Sequence, residues 1–178
     1  GRGCRIEDVV KAIKYVIDQE SEQADVMERI PSDTSLIQST IYFKFYLFRA
    51  LQKCGMGDQY LSMLGPWNRM LENGMTTFGE RDGNTRSECH AWSSSPCFDF
   101  LHTVAGIYPL QTGFKTIAVQ PNFGALKEIS ALFPHPRGEL RLDLKKEGST
   151  SVSGKIILPE GTSGEFHWHD MLIPLTEG

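Results

Sequence analysis

Hydrophobic residues in the first half of the chain recur at helical spacing. Apolar positions 6, 9, 10, 13, 16 and 17 share one face, which predicts a helix from about Ile6 to Asp18. A second helix, from about Ser35 to Lys53, is apolar almost all round, so we expect it to be buried on several sides. Residues 30–33 supply its expected caps. A third helix is predicted from Asp58 to Glu72, with a kink or break at Pro66.

The spacing changes in the second half of the chain. A short helix after Ser95-Pro96 is predicted to end at Gly106. Residues 138–145 then alternate strictly, with three leucines on one face and charged residues on the other, which predicts a strand. Residues 114–120, 152–158 and 165–175 are also predicted strands. Antiparallel strands with one wet face fit a small β-sandwich. The sequence therefore predicts an α-then-β chain, helical over 1–106 and β over 107–178.

Charge and composition exclude some partners. The net charge is −4 and the basic residues do not cluster, so we expect neither nucleic acid nor an anionic membrane as a partner. The apolar run over 41–50 contains Lys44 and Arg49 and is too short to span a bilayer. The four cysteines show no CxxC spacing and are expected to be free thiols. The chain does not start with Met and leads directly into a predicted helix, so we expect a fragment of a longer protein.

A polar stretch between the helices, residues 75–96, carries the candidate chemistry. It combines Glu80, arginines, aspartate, His90 and Trp92 within a loop that is too polar to be core. An acid, a base and an aromatic surface in one loop are typical of a carbohydrate site.

The residues around this loop resemble a known family. Trp67-Asn-Arg-Met-Leu-Glu-Asn-Gly-Met-Thr-Thr-Phe-Gly-Glu-Arg-Asp82 resembles the motif late in the catalytic (α/α)6 barrel of family-78 glycoside hydrolases, the bacterial α-L-rhamnosidases. Ser87-Glu-Cys-His90 is similar to the family's S-x-N-H element, and residues 105–109, 113–115 and the later strands to the barrel exit and C-terminal β-sandwich. The resemblance implies that 1–106 are the last barrel helices and 107–178 the β-sandwich domain. The compartment of this bacterial type of enzyme (periplasmic, secreted or cytoplasmic) stays open.

The family pattern implies the chemistry. Family-78 enzymes hydrolyse terminal α-L-rhamnosyl residues with inversion, which needs a general acid and a carboxylate that deprotonates water. By resemblance, Glu80 is the general base and His90 contacts the sugar. The general acid comes from an earlier barrel loop that this sequence lacks. We therefore expect the carbohydrate substrate and the missing N-terminal part of the barrel as partners, no cofactor or metal ion, and no useful activity from the fragment alone.

The other polar residues of the loop have two interpretations each. Arg81, Asp82 and Arg86 can hydrogen-bond sugar hydroxyls or hold Glu80 ionised, or they can form ion pairs that merely stiffen the loop. Trp92 can stack on a sugar ring or belong to the core.

The sequence also departs from the family pattern. Gly79 stands where the family usually has Trp before the catalytic Glu, and the Trp after Arg81 is missing. The segment from Glu80 to His90 is also shorter. These departures keep open a different (α/α)6-barrel glycosidase, acting on a fucosyl, glucosyl or uronyl unit.

Two further alternatives rest on the last predicted strand. Phe166, His167 and Trp168 can present a glycan surface, as in a non-catalytic carbohydrate-binding module, although the alternation favours a core position for the two aromatics. His167, His169 and Asp170 can contribute to a zinc site, but no clear fourth ligand follows from the sequence.

Overall fold

The computed structural model describes residues 39–176 of the chain. These residues divide into two compact units between Ser95 and Pro96. The helix predicted over 6–18 and the capping segment at 30–33 lie outside the described residues. The domain boundary predicted after residue 106 stays a prediction.

The first helix of the described part, α1 (Ile41–Lys53), begins where a side chain caps it. The backbone of Thr40 is extended, and its hydroxyl accepts a hydrogen bond from the Phe43 amide at 3.3 Å. The helix therefore starts six residues later than the predicted Ser35. Its buried positions form one stripe (Ile41, Lys44, Phe48, Leu51), whereas Tyr42, Phe43 and Tyr46 are exposed. The expectation of burial on several sides was wrong for this part of the chain.

The predicted third helix is two elements. A 3-10 helix spans Gly57–Met63, and α2 spans Gly65–Glu72 with Pro66 in its first turn. The predicted break is confirmed, because a proline has no amide hydrogen and is tolerated only at a helix start. The Phe48 ring packs on Tyr60 and Trp67, with centroids 4.8 and 6.0 Å apart. A short 3-10 helix over Ala91–Ser94 completes the first unit.

The second unit opens with helical turns that end at a glycine. α3 (Ser95–Asp99) continues as a π-helical turn over Phe100–Val104. Gly106 has φ 71°, and a Cβ there would lie 2.6 Å from the Pro121 nitrogen. The predicted helix end is confirmed, since only glycine fits this left-handed backbone against the chain after β2.

Within the described residues, seven strands follow the helical turns. They are β1 (Ile107–Pro109), β2 (Thr116–Val119), β3 (Glu128–His135), β4 (Gly138–Glu147), β5 (Ser151–Ile157), β6 (Ser163–Trp168) and β7 (Met171–Leu175), with a 3-10 turn over Thr112–Phe114. One sheet has the order β1-β2-β6-β7 and the other β3-β4-β5. All neighbouring strands are antiparallel except β2 and β6. Helices followed by largely antiparallel sheets confirm the predicted α-then-β class.

The strand core matches the alternating pattern. Leu140, Leu142 and Leu144 of β4 are buried, as predicted. Phe166 and Trp168 of β6 are also buried, and the Trp168 indole donates to the Thr150 carbonyl at 2.7 Å. These two rings therefore face the core, as the sequence indicated.

The strand predicted over 165–175 is wrong in one respect. It is a hairpin, because His169 and Asp170 form a two-residue turn between β6 and β7 with His169 at φ 51°. β1 and β3 were not predicted.

Candidate active site

A hairpin-like loop, residues 75–90 (the site loop), holds the predicted chemistry in the first unit. The Glu80 amide donates to the Ser87 carbonyl at 2.8 Å, and the His90 amide donates to the Phe78 carbonyl at 2.6 Å. These two main-chain bonds bring the carboxylate and the imidazole to the same end of the loop, although ten residues separate them in the sequence.

Side chains of helix α2 and its C-cap residue hold the site loop through hydrogen bonds. Arg69 donates from Nε to Asp82 Oδ2 at 2.6 Å, and the Asn73 amide group donates to the Asp82 carbonyl at 2.7 Å. The Trp67 indole also donates to the Ser93 carbonyl at 2.7 Å, which ties α2 to the turn after the loop. Helix α2 and its C-cap residue thus hold the chain at Asp82, two residues after Glu80, and at Ser93, directly after Trp92.

The site loop and the start of α1 enclose a cleft of about 500 Å³. The lining residues are Ser39, Thr40, Ile41, Tyr42, Lys44, Pro66, Arg69, Glu80, Arg81, Asp82 and Trp92. One wall is aromatic, since the Tyr42 and Trp92 rings lie 4.7 Å apart and are 41% and 52% exposed. An exposed aromatic wall beside a carboxylate is suited to the apolar face of a sugar ring.

Glu80 is a carboxylate of this cleft that an arginine holds. Arg86 grips it with two hydrogen bonds, Nε to Oε2 at 2.8 Å and Nη2 to Oε1 at 2.9 Å. These bonds lower the pKa of Glu80 most; desolvation opposes the shift, and the charges of Arg86, His90 and Arg81 add to it. The carboxylate is therefore ionised at neutral pH, the form that a general base needs.

The His90 ring packs against Trp92 of the aromatic wall. Its Nδ1 lies 3.1 Å from the Ser87 hydroxyl, and its ring centroid lies 4.5 Å from that of Trp92. Its Nε2 is buried with no hydrogen-bond partner among the described residues. His90 lies outside the cleft lining, so the predicted sugar contact stays a prediction.

The remaining predicted residues divide between the cleft and its supports. Arg81, Asp82 and Trp92 line the cleft, whereas Arg86 reaches Glu80 from outside the lining. Asp82 and Arg86 each take part in an ion pair, one with α2 and one with Glu80. Their predicted contacts with sugar hydroxyls remain predictions.

Sequence reasoning missed the contribution of α1. Tyr42 and Lys44 line the cleft from this helix, and Arg69 lines it from α2. A helix that is apolar almost all round gives no signal for which aromatic faces a site. Thr40 was the signal that the sequence offered, because threonine is a favoured N-cap and would have placed the start of this helix at residues 40–44.

The structure bears on the alternatives drawn from β6. His169 sits in the turn rather than on the strand, and His167 Nε2 lies 3.0 Å from Glu165 Oε2. Among residues 39–176, no three or more His, Cys, Asp or Glu side chains group in a way that can hold a metal ion. No helix in this range is long and apolar enough to cross a membrane.

Comparison with known proteins gives a sequence match within the second unit and fold matches over most of the chain. Residues 106–170 match the family model described as bacterial alpha-L-rhamnosidase C-terminal domain. No curated protein matches the chain.

Several solved α-L-rhamnosidases share the fold. The native enzyme of Aspergillus terreus is 18% identical with a TM-score of 0.74, and the match covers 97% of this chain and 21% of that one. The family-78 rhamnosidase of Bacillus sp. GL1 is 24% identical with a TM-score of 0.61, covering 71% of this chain and 16% of that one. The Streptomyces avermitilis enzyme, solved with L-rhamnose, is 21% identical with a TM-score of 0.58, covering 68% and 13%.

The chain thus spans only 13% to 21% of the length of these structures. In fold, and in the sequence of residues 106–170, it resembles the C-terminal part of the α-L-rhamnosidases.

Proposed function

We propose that this chain is the C-terminal part of an inverting glycoside hydrolase that removes terminal α-L-rhamnosyl residues, with Glu80 as the general base. The observation that carries the proposal is the placement of Glu80. Its carboxylate has a lowered pKa, is 22% exposed, and lines a cleft with an exposed aromatic wall. A merely structural role for this glutamate does not explain why exposed aromatic rings line the same cleft.

In this proposal, Glu80 accepts a proton from the water that attacks the anomeric carbon. Trp92 and Tyr42 pack on the apolar face of the sugar, and Arg81 and Asp82 hydrogen-bond its hydroxyls from the cleft wall. His90 packs against the Trp92 ring, and its Nε2, which has no hydrogen-bond partner among the described residues, is available to a sugar hydroxyl.

The reaction also needs an acid on the opposite face of the sugar. In an inverting enzyme the two carboxyl groups lie roughly 6.5–9.5 Å apart, which leaves room for the attacking water. The family pattern places that acid in an earlier barrel loop, so the intact protein would complete the site. We expect the isolated chain to show no useful turnover.

A test of the proposal compares the intact protein with its Glu80→Gln variant. Loss of the base should lower kcat on an aryl α-L-rhamnoside by roughly 100- to 10,000-fold while substrate binding is largely kept. Proton NMR of the first-formed rhamnose should show the inverted anomer. A near-normal rate for the variant would remove Glu80 from the mechanism.

A different sugar is the second candidate, and Gly79 favours it. This residue stands where the family has Trp, yet a Cβ here would already lie 2.9 Å from the Arg81 carbonyl oxygen. Tyr42 and Trp92 form the aromatic wall of this cleft, and with glycine in place of the family's Trp we expect a pocket of different shape. A panel of aryl rhamnosides, fucosides, glucosides and uronides with the intact protein separates the two candidates.

A further inference from the structure

The contacts of Glu80 point to a second functional residue in the site loop. Arg86 holds both carboxylate oxygens in a fork, at 2.8 and 2.9 Å. We infer that Arg86 is the positioning residue of the general base: it fixes the plane of the Glu80 carboxylate and sets the acidic limit of the reaction. This inference rests on the proposed function, because it assigns a role to Arg86 only if Glu80 is the base.

The fork leaves the carboxylate able to react. Each oxygen of an ionised carboxylate has two lone-pair directions, and Arg86 occupies one on each oxygen. The other two remain for a water molecule in the cleft. The two hydrogen bonds from the guanidinium therefore restrict rotation of the carboxylate. They leave one lone pair on each oxygen that can accept a proton from water.

The loop is built to keep this pair in place. The main-chain bond from the Glu80 amide to the Ser87 carbonyl closes the segment that contains both partners. Thr85 hydrogen-bonds to the same carbonyl at 3.0 Å, immediately before Arg86. The two side chains thus emerge from a closed turn, and less conformational entropy is lost when the pair forms.

Arg86 reaches in from solvent, since its side chain is 83% exposed while that of Glu80 is 22% exposed. An exposed arginine contributes little to folding, so its removal should alter the base without unfolding the loop.

Other ionisable groups surround Glu80 and must be separated from Arg86 in any pH experiment. Arg81 and Asp82 of the site loop, Lys44 of α1 and Arg69 of α2 line the cleft. His90 lies outside the lining but acts on Glu80 through its charge. Arg81 and His90 act on Glu80 through charge alone, whereas Arg86 also donates hydrogen bonds, and that contribution is the largest cause of the lowered Glu80 pKa. The effect of Arg86 should therefore exceed that of any neighbour.

The experiment measures kcat/KM against pH for the intact protein and three variants. Arg86→Gln removes the charge and the fork, and Arg86→Lys keeps a charge without the fork. The control is Arg141→Gln on β4, which breaks another exposed arginine pair, at 3.0 Å to Glu139. Thermal melts of all variants check folding.

We expect the acid limb of Arg86→Gln to move to higher pH, because an unassisted Glu80 is protonated sooner. Arg86→Lys should move it less, and the control should not move it. On the plateau, kcat/KM of Arg86→Gln should fall by less than about tenfold, since the pair is exposed at the arginine.

The outcome separates the two ideas. If Glu80→Gln is inactive and the limb of Arg86→Gln coincides with that of the unchanged protein, the role of Arg86 is refuted and Glu80 keeps its own. If Glu80→Gln stays active, the proposed function falls, and the inference about Arg86 falls with it.

Discussion

Gly79 precedes the proposed base, and the main chain leaves no room for a larger residue there. It is buried, and an added Cβ would collide with the Met75 methyl and lie 2.9 Å from the Arg81 carbonyl oxygen. The Met75 end is flexible and can turn away. The carbonyl belongs to the backbone two residues on, so Gly79→Ala can be relieved only by a shift of the segment that carries Glu80.

The magnitude follows from that geometry. Overpacking of a tight site costs about 1–3 kcal/mol of folding stability. A displacement of the base by about 1 Å costs roughly 100-fold in rate. We therefore expect Gly79→Ala to lower kcat of the intact protein by about 10- to 100-fold, with a modest loss of thermal stability.

The same loop offers a matched control. A Cβ at Gly83 would meet no atom within 4 Å, so Gly83→Ala should be close to neutral. Both variants are assayed on an aryl α-L-rhamnoside together with a thermal melt. A Gly79→Ala enzyme whose rate stays within about twofold of the unchanged protein would refute the reasoning, whatever its stability.

Three further predictions test other contacts. Trp168→Phe removes the 2.7 Å bond to the Thr150 carbonyl and should destabilise the second unit by about 1–3 kcal/mol, measured as a lower urea midpoint. Trp92→Ala should raise KM for the glycoside more than it lowers kcat, because the indole contacts the sugar equally in the ground state and the transition state. Steady-state kinetics measure both constants. The lowered pKa of Glu80 predicts that the small stabilisation lost in Arg86→Gln is present above pH 4.5, the ordinary value, and fades as pH falls below it. Urea titrations at several pH values would show this.

Local signals in the sequence predict much of the fold. The break at Pro66, the helix end at Gly106 and the buried leucines of β4 each follow from one residue type or one period. Such features depend on backbone sterics or on a single wet face, and neither requires knowledge of a distant partner.

Features that depend on distant partners were not predictable. β1 has three residues, too short for a period. The burial of β3 alternates, but its sequence runs through Ala131-Leu132-Phe133-Pro134 without a polar residue, so no alternation of residue types marks the strand. The turn at His169-Asp170 lacks the glycine or asparagine that usually marks a hairpin. The start of α1 depends on the Thr40 cap. The apolar residues before Thr40 continue the helical pattern, so the pattern alone does not mark this start.

The candidate site divides in the same way. The family motif directed attention to Glu80 and the site loop, and Glu80, Arg81 and Asp82 of that motif line one cleft. The sequence does not show which residues of α1 form the aromatic wall. It also does not show which of several arginines pairs with a given carboxylate, so both features required coordinates. Arg86 holds Glu80, whereas the adjacent Arg81 does not hydrogen-bond it.

The parallel pairing of β2 with β6 has a consequence for biosynthesis. Thr116 and Ser163 are in register although they are 47 residues apart in the sequence. The β3-β4-β5 meander can close as soon as it leaves the ribosome, but β2 must wait for a much later segment. A chain whose synthesis stops before Ser163 would thus be released with a bare hydrogen-bonding edge on the buried strand Ile117–Val119, a template for aggregation rather than a harmless truncation.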